Sequence, residues 1–214
     1  MKTYPLLSDS FVPPVVILAN GEYPVHPLPL ALLEKASHVV CCDGASAAFV
    51  AHGGIPSAIV GDGDSLPSDV RDRFSSCIHS DPDQETNDLT KAVRYCIREG
   101  YPSVLILGAT GKREDHTLGN ISLLADYAPD ISVEMVTDYG VFTPVISDAR
   151  FETYLGQQVS LFAIDPVEVT VGNLRYPIRG RILTSWWQGT LNESTGDYFT
   201  VQTSGRLIVY RAYR

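Results

Sequence analysis

Carboxylates crowd two short stretches of this 214-residue chain, Gly61-Asp62-Gly63-Asp64-Ser65 and Asp81-Pro82-Asp83-Gln84-Glu85-Thr86-Asn87-Asp88, and neither stretch contains a cation. Like charges held together raise one another's pKa values unless a hard cation such as Mg²⁺ lies between them. The chemistry this predicts is metal-assisted and directed at phosphate. Gly61 and Gly63 free the backbone to bring Asp62 and Asp64 toward one ion, with Asp43 arriving from an earlier strand end. The structural alternative is a solvated surface turn, since turns favour Gly and Asp. Calcium in an EF-hand loop is excluded: Asp81, Asp83, Glu85 and Asn87 alternate suitably, but Thr86 stands where the turn glycine is needed and Ala92 where the closing glutamate is needed. Thr86 or Asn87 instead suits a helix cap, placing Asp88 in the first turn on one face with Lys91.

A second constellation is Gly108-Ala109-Thr110-Gly111-Lys112-Arg113-Glu114-Asp115-His116. Flexible backbone followed by a helix start can receive phosphate on its N–H groups. The order of a Walker A loop is absent, and so is any G-x-G-x-x-G fingerprint. Arg113 could neutralise charge developing on a transferred phosphate, or be a solvated surface arginine. His116 is expected in the core as a hydrogen-bonded residue, with a general base as the alternative. Near the C-terminus, Trp186-Trp187 and Gly189-Thr190-Leu191-Asn192-Glu193 offer aromatic surface beside an amide, on which a cationic or aromatic ring could stack. The alternative buries one tryptophan in a core and sets the other at an interface.

These residues need elements to bring them together. In the first two-thirds of the chain, apolar runs (Val15 to Ala19, Val39 to Cys42, Ala58 to Val60, Val104 to Leu107) end in Asn20-Gly21, Asp43-Gly44, Gly61-Asp62 and Gly108. They alternate with helical stretches at Leu28 to Ser37, Ala45 to His52, Pro67 to Phe74, Asn87 to Glu99 and Glu114 to Tyr127, the pattern of βαβ units. The prediction is a mainly parallel, Rossmann-like α/β sheet flanked by helices. Ligands of such sheets bind outside the carboxyl ends of the strands, so Asn20, Asp43, Asp62, Asp64 and Gly108 should share one crevice. After about Tyr139 short β-rich segments separated by turns predict an all-β sandwich. The expected domains are 1–140, α/β, and 141–214, β-sandwich.

At 44% hydrophobic residues the chain can fill one good core or two modest ones. A net charge of -9 and a pI near 4.9, with Lys and Arg scattered, argue against nucleic acid and anionic membranes as partners. No stretch has the length of a membrane span, and Met1-Lys2-Thr3-Tyr4-Pro5 lacks the apolar run of a signal peptide, so a cytoplasmic protein is expected. Cys41, Cys42, Cys77 and Cys96 show no zinc spacing and read as small core residues.

Asn20-Gly21, Asp43-Gly44-Ala45, Gly61 through Ser65, Asp83-Gln84 through Asp88 with Lys91, and Gly108 through Asn120 together resemble, in order and spacing, the catalytic-domain motifs of the thiamine pyrophosphokinase family. The resemblance implies transfer of a pyrophosphoryl group from ATP to the hydroxyl of thiamine, with AMP released. It further implies Mg²⁺ held by Asp43, Asp62, Asp64 and Asp88, and thiamine facing Gln84 and Asp88. Arg113 and Asp115 would organise the phosphate end; Asn20, Gly21, Gly44, Lys91, Gly108, Thr110, Gly111 and His116 belong to the implied ligand-binding set, as do Trp187 and Asn192 of the β-domain. A homodimer is implied, with thiamine bound between one subunit's catalytic domain and the other's β-domain. Two positions depart from the family pattern: Asn87 stands at a threonine position, and Leu191-Asn192 replaces Ser-Asn. Asp88 or Asp64 could take the proton from the attacking hydroxyl. A Mg²⁺-dependent phosphohydrolase, a pyrophosphokinase for another alcohol, and a non-catalytic thiamine or nucleotide sensor are the competing readings.

Overall fold

A computed structural model describes residues 1–213. The chain divides into two compact units: Asp9–Leu123 with Asp130–Asp138, and Met1–Ser8 with Leu124–Pro129 and the chain from Tyr139 onward. Strand β1 (Lys2–Tyr4) therefore belongs to the second unit, although the sequence gives it no distinguishing pattern.

The first unit is built on a parallel sheet of β2 (Val15–Leu18), β3 (His38–Cys42), β4 (Ala58–Gly61), β5 (Ile78–Ser80), β6 (Ser103–Leu107) and β7 (Ser132–Val136). Its order is β7-β6-β2-β3-β4-β5, every neighbouring pair parallel, with Val15 opposite His38 and Val16 opposite Leu105. All four residues of β2 are buried, as expected of a strand covered on both faces. Helices α1 (Pro27–Lys35), α2 (Ala45–Ala51), α3 (Ser68–Arg73), α4 (Asp88–Arg98) and α5 (Glu114–Tyr127) follow where the 3.6-residue period placed them. Short β5 and the polar-edged β7 escaped the sequence reading because three residues, or five interrupted by Glu134, make too weak a pattern.

The second unit packs two sheets face to face. One orders β1, β9 (Ala149–Glu152), β14 (Tyr198–Thr203), β11 (Val167–Gly172) and β12 (Ile178–Leu183). The other contains β13 (Gly189–Glu193), β10 (Gln158–Ala163), β15 (Leu207–Ala212) and β8 (Gly140–Val145), antiparallel throughout. Inward residues of both, among them Phe151, Val169, Phe199, Leu161 and Val209, form one core. Tyr4, Phe151 and Phe199 stack in series, with centroids 4.8 and 4.9 Å apart. The mean sandwich pattern of alternation was legible; β9 and β13 were not, since each is short and rich in charged or polar residues.

Candidate active site

Strand order reverses between β2 and β6: from β2 the chain runs outward through β3, β4 and β5, then returns to β6 and β7 on the other side. This is a topological switch point, where the loops beyond adjacent strands part and leave a crevice. The two parting loops are Asn20–Gly21 and Gly108–Lys112, and they are stitched to one another. The Gly21 N–H donates to the Gly108 carbonyl (2.6 Å) and the Glu22 N–H to that of Thr110 (2.8 Å). Gly21 is required there, because a Cβ would collide with both carbonyls. Gly108, Gly111 and Lys112 all have left-handed backbone, at φ 63°, 76° and 58°.

The crevice, about 480 Å³, is of a size suited to a small-molecule ligand, and its lining includes Asn20, Gly21, Asp62, Gln84, Asp88 and Lys91 from the strand ends and α4, with Gly111, Lys112, Arg113 and His116 opposite. Asp43 is 1% exposed. Its Oδ2 accepts the Ser65 N–H (3.1 Å). Burial pushes its carboxyl above the usual range, and the negative charges of Asp88 and Asp62 push the same way against the Ser65 N–H bond. Asp62 behaves oppositely: the Asp64 N–H (3.1 Å) and the Gln84 amide (3.2 Å) hold it below the usual range, with Lys91 adding to that. The cation missing from both acidic stretches is Lys91. Only 2% exposed, its ammonium lies 3.2 Å from Asp88 and 3.8 Å from Asp62. Gly61 makes the cluster possible, since a Cβ would sit 2.6 Å from that of Asp43 and 3.3 Å from Asp88 Oδ1.

The turn carrying Asp62 is braced by a residue the sequence reading passed over. Arg71 of α3 donates to the Gly63 carbonyl at 2.6 Å, and both line a neighbouring recess of about 290 Å³ with Asp43 and Asp62. Asp64 is exposed, and its contact within the turn is its backbone N–H to Asp62. In the second acidic stretch Asp83 organises the loop: it accepts from the Glu85 N–H and the Thr86 hydroxyl and pairs with Arg94 (3.3 Å), interactions that hold its carboxyl below the usual range. Asn87 caps α4, its Oδ1 taking the Thr90 N–H at 2.9 Å. Its Nδ2 reaches Asn120 (3.2 Å), whose own amide holds the Ala109 carbonyl (2.8 Å). A threonine could cap equally but has no amide to continue this chain, so Asn87 ties α4 to the glycine-rich turn.

Several expected roles change. His116 is exposed at the crevice wall rather than packed in the core. Arg113 and Asp115 form an exposed bidentate pair (3.1 and 2.5 Å), which lowers the aspartate's pKa and raises the arginine's. Gly44 admits the Asn20 side chain, which a Cβ would strike, while Gly108 and Thr110 serve through their carbonyls. In the sandwich unit neither tryptophan is buried: Trp186 lies edge-on to Phe162, and Trp187 is 72% exposed. Asn192 is buried, and its amide is spent on the Tyr176 N–H (3.0 Å), the Tyr176 carbonyl (2.7 Å) and the Glu193 N–H (2.9 Å). It holds the 176 loop; Leu191 beside it is 81% exposed with φ 59°. Among the described residues, no three His, Cys, Asp or Glu side chains close into a cage able to hold a metal unaided. The donor set nevertheless fits Mg²⁺, which needs only one or two carboxylates when waters and substrate phosphates complete its shell. Burial, with the neighbouring charges of Asp88 and Asp62 behind it, raises the Asp43 carboxyl, and a bound cation would offset both.

Acidic strand ends facing a glycine-rich turn at a switch point, on an α/β unit joined to a β-sandwich unit, define a phosphotransfer enzyme of the doubly wound class. The profile described as thiamin pyrophosphokinase, catalytic domain, matches residues 30–135, and that described as thiamin pyrophosphokinase, substrate-binding domain, matches residues 140–210. The chain belongs to the thiamin pyrophosphokinase family. It is 26% identical to "Thiamin pyrophosphokinase 1" of Caenorhabditis elegans over 97% of this chain and 92% of that protein. Its fold is similar to that of thiamin pyrophosphokinase from Candida albicans (TM-score 0.78, 18% identity, covering 95% and 92% of the two chains). It is also similar to that of thiamin pyrophosphokinase from Geobacillus thermodenitrificans (0.76, 23%, 94% and 97%).

Proposed function

We propose that the crevice between Asn20–Gly21 and Gly108–Arg113 is where this member of the family carries out its reaction, the ATP-dependent pyrophosphorylation of thiamine. The observation that carries the assignment to this crevice is that Asp62 and Asp88, whose charges act on buried Asp43, line it together with Gly111 and Lys112 of the left-handed turn at one switch point. ATP would lay its phosphates along the turn and the start of α5, where backbone N–H groups and the helix N-terminus favour anions. Asp43, Asp62 and Asp88, with Asp64 on the exposed side of the same turn, would hold Mg²⁺, which would supply neutralisation of phosphate charge. Lys91 would add a positive charge, and Gln84, anchored on Asp62, would orient the acceptor. The thiamine hydroxyl attacks the β-phosphorus in line; its proton passes to a carboxylate, and AMP departs. Positioning and charge neutralisation supply most of the rate in such transfers.

We further propose a homodimer, which would cover the exposed Trp187, Leu191 and Tyr176 of the sandwich unit and bring them to thiamine. No helix among the described residues is long and apolar enough to cross a membrane. The four free thiols, three of them buried, suit the reducing cytoplasm we assign to the protein. The test of the activity is the nucleotide product: full-length protein with ATP, Mg²⁺ and thiamine should give thiamine pyrophosphate and AMP. ADP with thiamine monophosphate would refute attack at the β-phosphorus.

A further inference from the structure

Three cations line the crevice, and two are committed. Lys91 sits between Asp62 and Asp88, and Arg113 is paired bidentately with Asp115. Lys112 is different: among the described residues it forms no ion pair with a carboxylate, and its ammonium donates only to two neutral oxygens, the Asn20 carbonyl (3.1 Å) and the Asn20 Oδ1 (3.3 Å). Its backbone is also anomalous. At φ 58° it occupies a conformation that glycine adopts freely and a long side chain does not, within a turn whose other two left-handed residues are glycines. A non-glycine residue held in this region at a site where ligand must approach is strain kept for its side chain. That side chain crosses from the β6–α5 turn to the loop after β2, the two walls of the switch point.

We propose that Lys112 is a phosphate clamp: its ammonium leaves Asn20 for the non-bridging oxygens of the ATP polyphosphate, and Asn20 is the docking point that holds it at the crevice mouth beforehand. The exchange is favourable in direction, since the ammonium trades two neutral oxygens of Asn20 for an anionic one and gains the attraction between opposite charges. The proposal rests on the assignment of ATP to this crevice.

The experiment titrates ATP with Mg²⁺, without thiamine, into full-length wild type, K112M, K112R and K112G, and follows Tm of each. K112M, which keeps the stem and the strained backbone, and K112G, which relieves the strain, should both bind ATP about tenfold more weakly. K112R should stay within about threefold of wild type, and K112G should not lose Tm. The KM for thiamine should be unchanged in all. Wild-type ATP affinity in K112M overturns the clamp, and so does an equal loss in K112R, which would place the effect in the turn rather than in the charge. The two readings fail separately: a wild type that makes no AMP overturns the activity, whereas AMP formation with undiminished ATP binding by K112M overturns the clamp alone.

Discussion

Replacing Lys91 by methionine tests the electrostatic account of the acidic cluster. The substitution keeps the buried stem and removes the charge that lies 3.2 Å from Asp88 and 3.8 Å from Asp62. At an effective dielectric of about 20 the attraction to Asp88 amounts to about 5 kcal/mol, and that to Asp62 adds to it. Desolvation of the ammonium opposes them, and both carboxylates are partly open to water, which screens the pairs. Removing one partner of a buried pair costs about 3–5 kcal/mol, and the partial exposure points to the lower end, about 3 kcal/mol. For a chain of this length that corresponds to a fall in Tm of about 6–12 °C. Urea denaturation should show the loss as a shifted midpoint at constant slope. Mg²⁺ at ten times its Kd adds about 1.4 kcal/mol to a protein that binds it only when folded. The gain should be larger in K91M, whose carboxylates lack their resident cation. The double variant D62N K91M should recover part of the loss, with a coupling of about 1 kcal/mol. The reasoning fails if K91M loses less than about 1 kcal/mol, or if the two substitutions add to within about 0.5 kcal/mol.

Asp43→Asn should abolish turnover yet stabilise the fold near neutral pH. A carboxyl whose folded pKa is raised opposes folding as pH rises from its unfolded pKa through its folded one, so the advantage of D43N should disappear in acid; a difference independent of pH would contradict this. Gly21→Ala would drive a Cβ into the Gly108 and Thr110 carbonyls. It should cost about 1–3 kcal/mol in urea unfolding and raise the KM for ATP, and wild-type values for both would show that the turn can shift freely.

How far the sequence reached is clearest at particular residues. The short apolar run Val15–Leu18, ending at Asn20-Gly21, reads as a strand buried on both faces, and that end forms one wall of the crevice. Asp43, Asp62 and Asp88 were legible for the same reason, each lying at a strand end or helix start. Lys91 was visible on the face of Asp88, but that its ammonium also meets Asp62 depends on how α4 lies across the ends of β3 and β4. Arg71 and Lys112 carried no signal: a surface helix arginine and a lysine after glycine are ordinary in sequence, and only their partners, the Gly63 and Asn20 carbonyls, give them a task. For Asn192 the sequence offered only an amide beside aromatics; its three hydrogen bonds to Tyr176 and Glu193, which hold the 176 loop, had no signal there.

Local rules of period, turn and cap thus determined the parallel sheet, the five helices and the acidic strand ends, because each depends on neighbours within a few residues. Charge balance did not follow from them. Whether Asp43 is raised and Asp62 lowered is settled by burial and by which N–H groups and ammonium arrive from elsewhere, interactions that fall off over a few ångströms of space and have no counterpart in sequence distance. Composition and spacing set the acids at strand ends and a helix start; the tertiary structure decided which of them is raised and which lowered, and that Lys91 is the cation Asp62 and Asp88 share.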